Sequence, residues 1–312
     1  GVLPATCADS VPKVQPCATG FARRRRLLAA TAALLCAPAC TLAPDADHAG
    51  ADAPASGPLA PKPRVAWVFS SGGPRGFVHV GVLKALDELG LAPDLIVGAS
   101  VGALVGVLRG SGMPAREIEA LALELQPLRL ARLALMGSER LSGAPLRDLV
   151  YEYIAPRLLE QLPTPVVCVA QRLSDGVAVG FNRGDIGLAV QAAAAIEGQF
   201  TPVRIRGQRH ADAGRSMPLP VRIARALGAG RVLAVDASAH EDRAPPGAER
   251  YREGDLHKRA LTTPDAALAD VLLHPDFGYW VSLSREFRER AIEAGYRATL
   301  AQAARLRALH SA

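Results

Sequence analysis

Three groups of residues in this 312-residue chain are of types and spacings that can do chemistry. The first is Gly98-Ala99-Ser100-Val101-Gly102. A Ser between two glycines, with apolar runs on both sides, suits a sharp strand-to-helix turn that exposes the hydroxyl. The helix N-terminus beyond it favours negative charge, so the setting is that of a serine nucleophile. The second is Ser71-Gly72-Gly73-Pro74-Arg75-Gly76. Backbone N–H groups in such a loop can face an anion or a developing oxyanion. Its glycine spacing is not that of a dinucleotide loop, and no Gly-Lys-Ser/Thr closes it as in a P-loop. The third is Asp212-Ala213-Gly214. Read alone, this Asp is a turn former.

Each group needs elements to hold it. "RVAWVFS", Arg64–Ser70, is short, apolar and rich in Val, and predicts a strand before the glycine loop. Val78, Val82, Leu86 and Leu89 then recur at helical spacing. Leu95–Leu108 repeats the order as strand, turn and helix around Ser100. After Asp212 come a Pro-bounded helix and a strand over Arg231–Asp236. This alternation predicts a three-layer α/β fold with a mainly parallel sheet and a helical C-terminal part. The last helix is expected over Ser284–Leu309, capped by Ser284, with Phe287, Ile292, Tyr296 and Leu300 packed inward and a solvated basic face. Docking of that helix on a membrane surface is the functional alternative.

Composition narrows the partners. The apolar fraction is 49% and the charged fraction 21%, ordinary for a globular protein. The net charge of +6 owes much to Arg23–Arg26, and no basic stripe interleaved with aromatics follows, which argues against nucleic acid. Of the five Cys, four lie in the first 40 residues; Cys168, in "PVVCVA", reads as a buried, inert thiol. Arg23–Arg26, the 13 apolar residues Leu27–Ala39 and small residues before Cys40 form an export signal. The Cys after "APA" resembles the lipobox of bacterial lipoproteins, with Ala37 where Leu is usual. This implies lipidation at Cys40 and anchoring in the cell envelope, at the outer membrane since Thr41 follows; a soluble periplasmic protein is the alternative. The organisation expected is 1–40 as upstream segment and signal, 41–63 as a Pro- and Ala-rich tether, and 64–312 as the catalytic domain.

Taken in order, the three groups resemble those of the patatin-like phospholipase family of lipid acyl hydrolases. That family carries a G-G-G-x-x-R-G loop, here shifted by one residue, then a G-x-S-x-G turn, then D-G-G/A. "FVHVGVLKAL", "GDIGLAVQAAAAIEGQFTPVRI", "MPLPVRIARALGAGRVLAVD" and "HPDFGYW" look familial too, so the likeness covers Arg64–Ala312. The resemblance implies a patatin-like domain and a Ser–Asp dyad. Ser100 would attack the ester carbonyl of a lipid or phospholipid at a membrane surface, and Asp212 would take its proton. The amides of Gly72 and Gly73 would form the oxyanion hole. Arg75 would hold the loop or neutralise charge, with Gly76, Gly98, Gly102 and Gly214 as supporting motif positions. No cofactor is implied, and no ligand set has zinc or calcium spacing.

The chain departs from the pattern at Ser71, at Ala213 and at Glu197, where the family has Gly, Gly and Pro. If position 213 needed a positive φ, Ala would cost about 1 kcal/mol or more there. Two rival readings stand beside the dyad. An α/β-hydrolase would recruit His240, His257 or His274 after its acid. A lipid-anchored binding protein would keep the shape of a decayed site. His79, among apolar residues, reads as a packed or bracing residue, and His210 as a neighbour of Asp212 on one strand face.

Overall fold

β1 (Val65–Phe69) and β2 (Leu95–Ala99) are each five consecutive buried residues, the signature of strands covered on both faces. In this computed structural model, which describes residues 46–125 and 142–311, they pair in parallel with Phe69 opposite Gly98. β7 (Arg231–Val235) flanks β1 and β8 (Val271–Leu273) flanks β7, both in parallel. On the other side β3 (Val166–Arg172) runs parallel to β2. β4 (Ala178–Phe181), β5 (Val203–Ile205) and β6 (Gln208–Asp212) join antiparallel, so the sheet is mixed and parallel at its centre.

Parallel neighbours require crossovers, and helices provide them. In chain order the described helices are α1 (Phe77–Glu88), α2 (Val101–Gly110), α3 (Ala115–Glu124), α4 (Ala144–Tyr153), α5 (Ile186–Ala193), α6 (Val221–Ala226), α7 (Glu249–Ala266), α8 (Arg285–Ala301) and α9 (Ala303–Ser311), the last two following the final strand. The alternation along β1 shows the layering. Val65, Trp67 and Phe69 enter one apolar cluster with Leu83, Leu86 and Val107. Ala66 and Val68 enter a second with Leu219 and Val221. The sheet thus has a packed helical layer on each face.

α8 starts at the Ser284 cap, whose hydroxyl accepts the Phe287 N–H at 3.1 Å. It lies backbone to backbone against α1: a Cβ on Gly81 would stand 1.8 Å from the Ile292 carbonyl oxygen. The single helix expected to Leu309 is two, because Gln302 leaves helical geometry and α9 carries Leu306 and Leu309 into the core. Among the described residues no helix is long and apolar enough to cross a membrane. Arg23–Ala39 and Cys40 lie outside the described residues.

The tether expected over 41–63 is, from residue 46 onward, part of the domain. His48 donates its N–H to the Arg204 carbonyl at 2.9 Å and accepts from the Arg206 N–H at 3.1 Å. Ala55 donates to the Arg183 carbonyl at 3.0 Å. The Asn182 side chain clasps Gly57, donating to its carbonyl at 2.7 Å and accepting its N–H at 2.8 Å. Composition missed this because backbone hydrogen bonds, with only Ala53, Pro54 and Pro63 buried, fasten the segment.

Candidate active site

Ser100 ends β2 and opens α2 with φ 55 and ψ −123. Only it and Arg206, among the described non-glycine residues, have a positive φ. Such a backbone costs about 1–3 kcal/mol and persists only where the surroundings impose it. Here strand passes into helix within one residue. Gly98 and Gly102 permit this: a Cβ on Gly98 would meet the Gly102 carbonyl oxygen at 2.2 Å, and one on Gly102 the Phe69 carbonyl oxygen at 2.3 Å.

The glycine loop joins β1 to α1 and is fastened from several sides. Ser71 donates its N–H to the Pro218 carbonyl at 2.8 Å. Arg75 donates from Nε to the Ala237 carbonyl at 2.8 Å and from Nη1 to the Gly278 carbonyl at 3.0 Å. Its guanidinium lies 4.2 Å from the centre of the Phe277 ring. Arg75 therefore braces the loop against the chain after β7 and after β8. The Nε2 of His79 lies 2.9 Å from the Ser70 carbonyl oxygen, and burial pushes the imidazole down to about 4. It is a neutral brace. Gly73 has φ 53, a left-handed conformation that selects glycine. Gly76 rests on Val101, the residue after Ser100, where a Cβ would come within 2.3 Å of Cγ1.

Strand pairing brings Asp212 to this corner. β4 occupies one flank of β3. On the opposite flank β2 pairs up to Ala99 beside Val169, and β6 takes over with Asp212 beside Ala170. Ala99 and Asp212 are thus successive neighbours along β3. Asp212 is 8% exposed. Its Oδ1 accepts the Gly214 N–H at 2.7 Å, while Oδ2 has no hydrogen-bond partner. Burial pushes the carboxyl above the usual range; the Ser100 hydroxyl, the Gly214 N–H and the Lys258 ammonium favour the charged form. The hydroxyl acts on the carboxyl without a hydrogen bond of full geometry, a looseness common in ligand-free sites.

Two cavities share Gly73, Ser100 and Ile196. One is apolar, with Phe77, Val80, Leu104, Leu121 and Leu149 in its walls. The other is polar, with Ser71, Glu197, Asp212, Arg215 and Lys258. Lys258 was not legible in the sequence: it sits in α7, a helix polar on nearly every face. Of the residues that depart from the family pattern, Ser71 and Glu197 line the polar cavity. Ala213 has no positive φ, so the strain considered for it is absent; it packs near Ala99 and Val169.

The other histidines stay outside both cavities. His240 and His274 stack at 3.7 Å, with His274 4.0 Å from Asp236. His257 is exposed on α7. His210 is buried edge-on to Phe181, two residues along β6 from Asp212. Cys168 is buried in β3, its thiol pushed up to about 12. Among the described residues no group of three or more His, Cys, Asp or Glu side chains is placed to hold a metal ion.

A serine at a strained strand-to-helix turn, on a mainly parallel sheet between helical layers, defines an α/β protein of the nucleophile-elbow class. Residues 67–225 match the family model described as patatin-like phospholipase, and the chain belongs to that family. An uncharacterized NTE family protein of Mycobacterium tuberculosis is 35% identical over 182 residues, 57% of this chain and 50% of the relative. Lysophospholipase nte1 of Emericella nidulans is 26% identical over 196 residues, 59% of this chain and 12% of the relative. The chain therefore spans half or less of the length of these relatives. The crystal structure of VipD from Legionella pneumophila aligns with a TM-score of 0.44 at 15% identity, covering 80% of this chain and 68% of that one.

Proposed function

We propose that this chain hydrolyses carboxylic esters of lipids through an acyl-Ser100 intermediate, with Asp212 as the base. One observation carries the reading: Ser100 stands where an apolar cavity meets a polar one that contains a buried carboxyl. The apolar side accommodates an acyl chain, and the polar side the alcohol half of the ester. Ser100 Oγ attacks the carbonyl carbon, and its proton passes to Oδ2 of Asp212, the oxygen left without a partner. The oxyanion is held by the N–H groups of Gly72 and Gly73, each such donor being worth about 10²–10³ in turnover. Asp212 returns the proton to the departing alkoxide. Water then attacks the acyl-serine and gives a proton to Asp212; the bond from the carbonyl carbon to Ser100 Oγ breaks, Asp212 returns the proton to Oγ, and the fatty acid is freed.

The family and the name of the fungal lysophospholipase support a lipid ester as substrate. Work at a membrane surface is supported by Trp280 and Val281, 51% and 50% exposed, three and two residues from Leu283 in the apolar cavity wall. Export and lipid anchoring at Cys40 rest on the sequence pattern of residues 23–40. The test is Ser100→Ala, which keeps the fold and loses both fluorophosphonate labelling and ester hydrolysis, by up to about 10⁶ in turnover. Normal labelling of the Ala variant would move the chemistry to another residue.

A further inference from the structure

We propose that Ser71 and Lys258 form a subsite for an anionic, oxygen-rich group on the alcohol half of the ester, of the kind a phosphate presents. This rests on the reading of Ser100 as the acylated residue, which makes the polar cavity the alcohol side. Ser71 replaces a glycine of the family loop with a side chain that is 4% exposed, and its Oγ has no partner. A buried hydroxyl left unpaired is destabilising, so it is well placed only if something in the cavity bonds to it. A Cβ on Gly214 would stand 3.5 Å from that Oγ and 2.9 Å from Oδ1 of Asp212, so glycine there keeps the corner open.

Lys258 lines the same cavity, and among the described residues its Nζ reaches only the Ser71 carbonyl oxygen, at 3.5 Å. An ammonium has three donors, and among the described residues no carboxylate lies within ion-pair distance of this one. Burial pulls it below its ordinary range, while Asp236, Asp212 and Asp255 act in the opposite sense from further away. An anion in the cavity would supply the missing partner. Two carboxyls, Glu197 and Asp212, line the cavity with Lys258. Glu197 is paired with Arg215 at 3.3 Å. Asp212 is neutral once it has taken the Ser100 proton, so an anionic alcohol half is best held at the step where the acyl group transfers. Arginine supplies all but four of the 36 basic residues in this chain. A lysine, a compact point charge on a flexible stem, is the exception placed at this site.

The experiment compares kcat/KM for two esters with the same acyl chain, a 1-acylglycerol phosphate and the uncharged 1-acylglycerol. The wild type is expected to favour the phosphate ester by about ten-fold or more. Lys258→Met should erase most of that ratio, Lys258→Arg should restore part of it, and Ser71→Gly should lower it less. Thermal melts confirm that each variant is folded. Equal losses on both esters would reduce Lys258 to a support of the loop and overturn the subsite. Calorimetry on the Ser100→Ala protein gives a readout free of catalysis. Glycerol phosphate should bind, and the added Lys258→Met change should abolish binding. If inorganic phosphate binds as tightly as glycerol phosphate, the site is one for free anions and the substrate assignment falls. If neither ester is cleaved and Ser100 takes no fluorophosphonate, the hydrolase reading fails instead, and the calorimetry still decides the subsite.

Discussion

Asp212 has to be ionised to accept a proton in the proposed reaction, and its burial works against ionisation. A carboxyl whose folded value is raised stays protonated to higher pH, so activity should fall away as pH drops through that raised value. The acid limb of kcat/KM is therefore expected above the usual carboxylate range. Asp212→Asn should remove about 10⁴ of the turnover with the fold intact. Lys258→Met should move the limb further upward, because the ammonium favours the charged carboxyl. A pH–rate profile checks both, and an acid limb at an ordinary carboxylate value in both proteins would discard Asp212 as the base. Ser100 stands out in the sequence because Gly98 and Gly102 beside it are dictated by the tight strand-to-helix turn; Asp212, read alone, is a turn former, and only the family resemblance sets it beside Ser100. Lys258 was not legible, since a charge on a polar helix carries no periodic signal; its only mark was being a lysine among arginines.

At the scale of elements, α1 holds the glycine loop in place and α8 holds α1. Their contact is made through backbone at Gly81 and Gly295, where a Cβ would stand 1.8 Å and 2.2 Å from carbonyl oxygens of the other helix. Gly81→Ala must push the helices apart and is expected to cost about 1–3 kcal/mol or more. Gly254→Ala, in α7 with nothing within 4 Å of its Cβ, should be neutral or stabilising by up to about 1 kcal/mol. Urea midpoints measure both, and equal midpoints would contradict the packing. The parallel strands at the sheet centre were readable as apolar runs, β1 and β2 being buried at every position. β4 and β5 were not: they are four and three residues long with partly exposed positions, too short to show a period. The break at Gln302 was equally silent, because Gln is a good helix former and the bend answers to the burial of Leu306 and Leu309.

For the whole molecule, the exposed rings of Tyr251 and Trp280, with the half-buried Tyr279 in contact with Trp280, are the feature to test. Tyr251 and Tyr279 meet Trp280 edge-on at 5.9 and 5.5 Å, beside the chain that enters the apolar cavity at Leu283. Trp and Tyr are favoured where lipid meets water. Trp280→Ala should weaken sedimentation of the unlipidated chain with phospholipid vesicles while leaving its hydrolysis of a soluble short-chain ester unchanged; undiminished sedimentation would clear this surface of the role. The layered architecture was legible from the order of runs and turns. The place of residues 46–63 was not, because composition reports what a segment can bury and is blind to backbone bonds. Those bonds have an effect of their own. β5 pairs with β6 along one side, and on its other side the Arg204 carbonyl and the Arg206 N–H are both taken by His48. Beyond that rung the chain offers Asp47, whose carboxylate is occupied by the Gly207 N–H. A bare strand border is a template on which another copy can stack. The stretch that composition marks as a leash is a hem, finishing the fabric where a raw border would recruit its own kind.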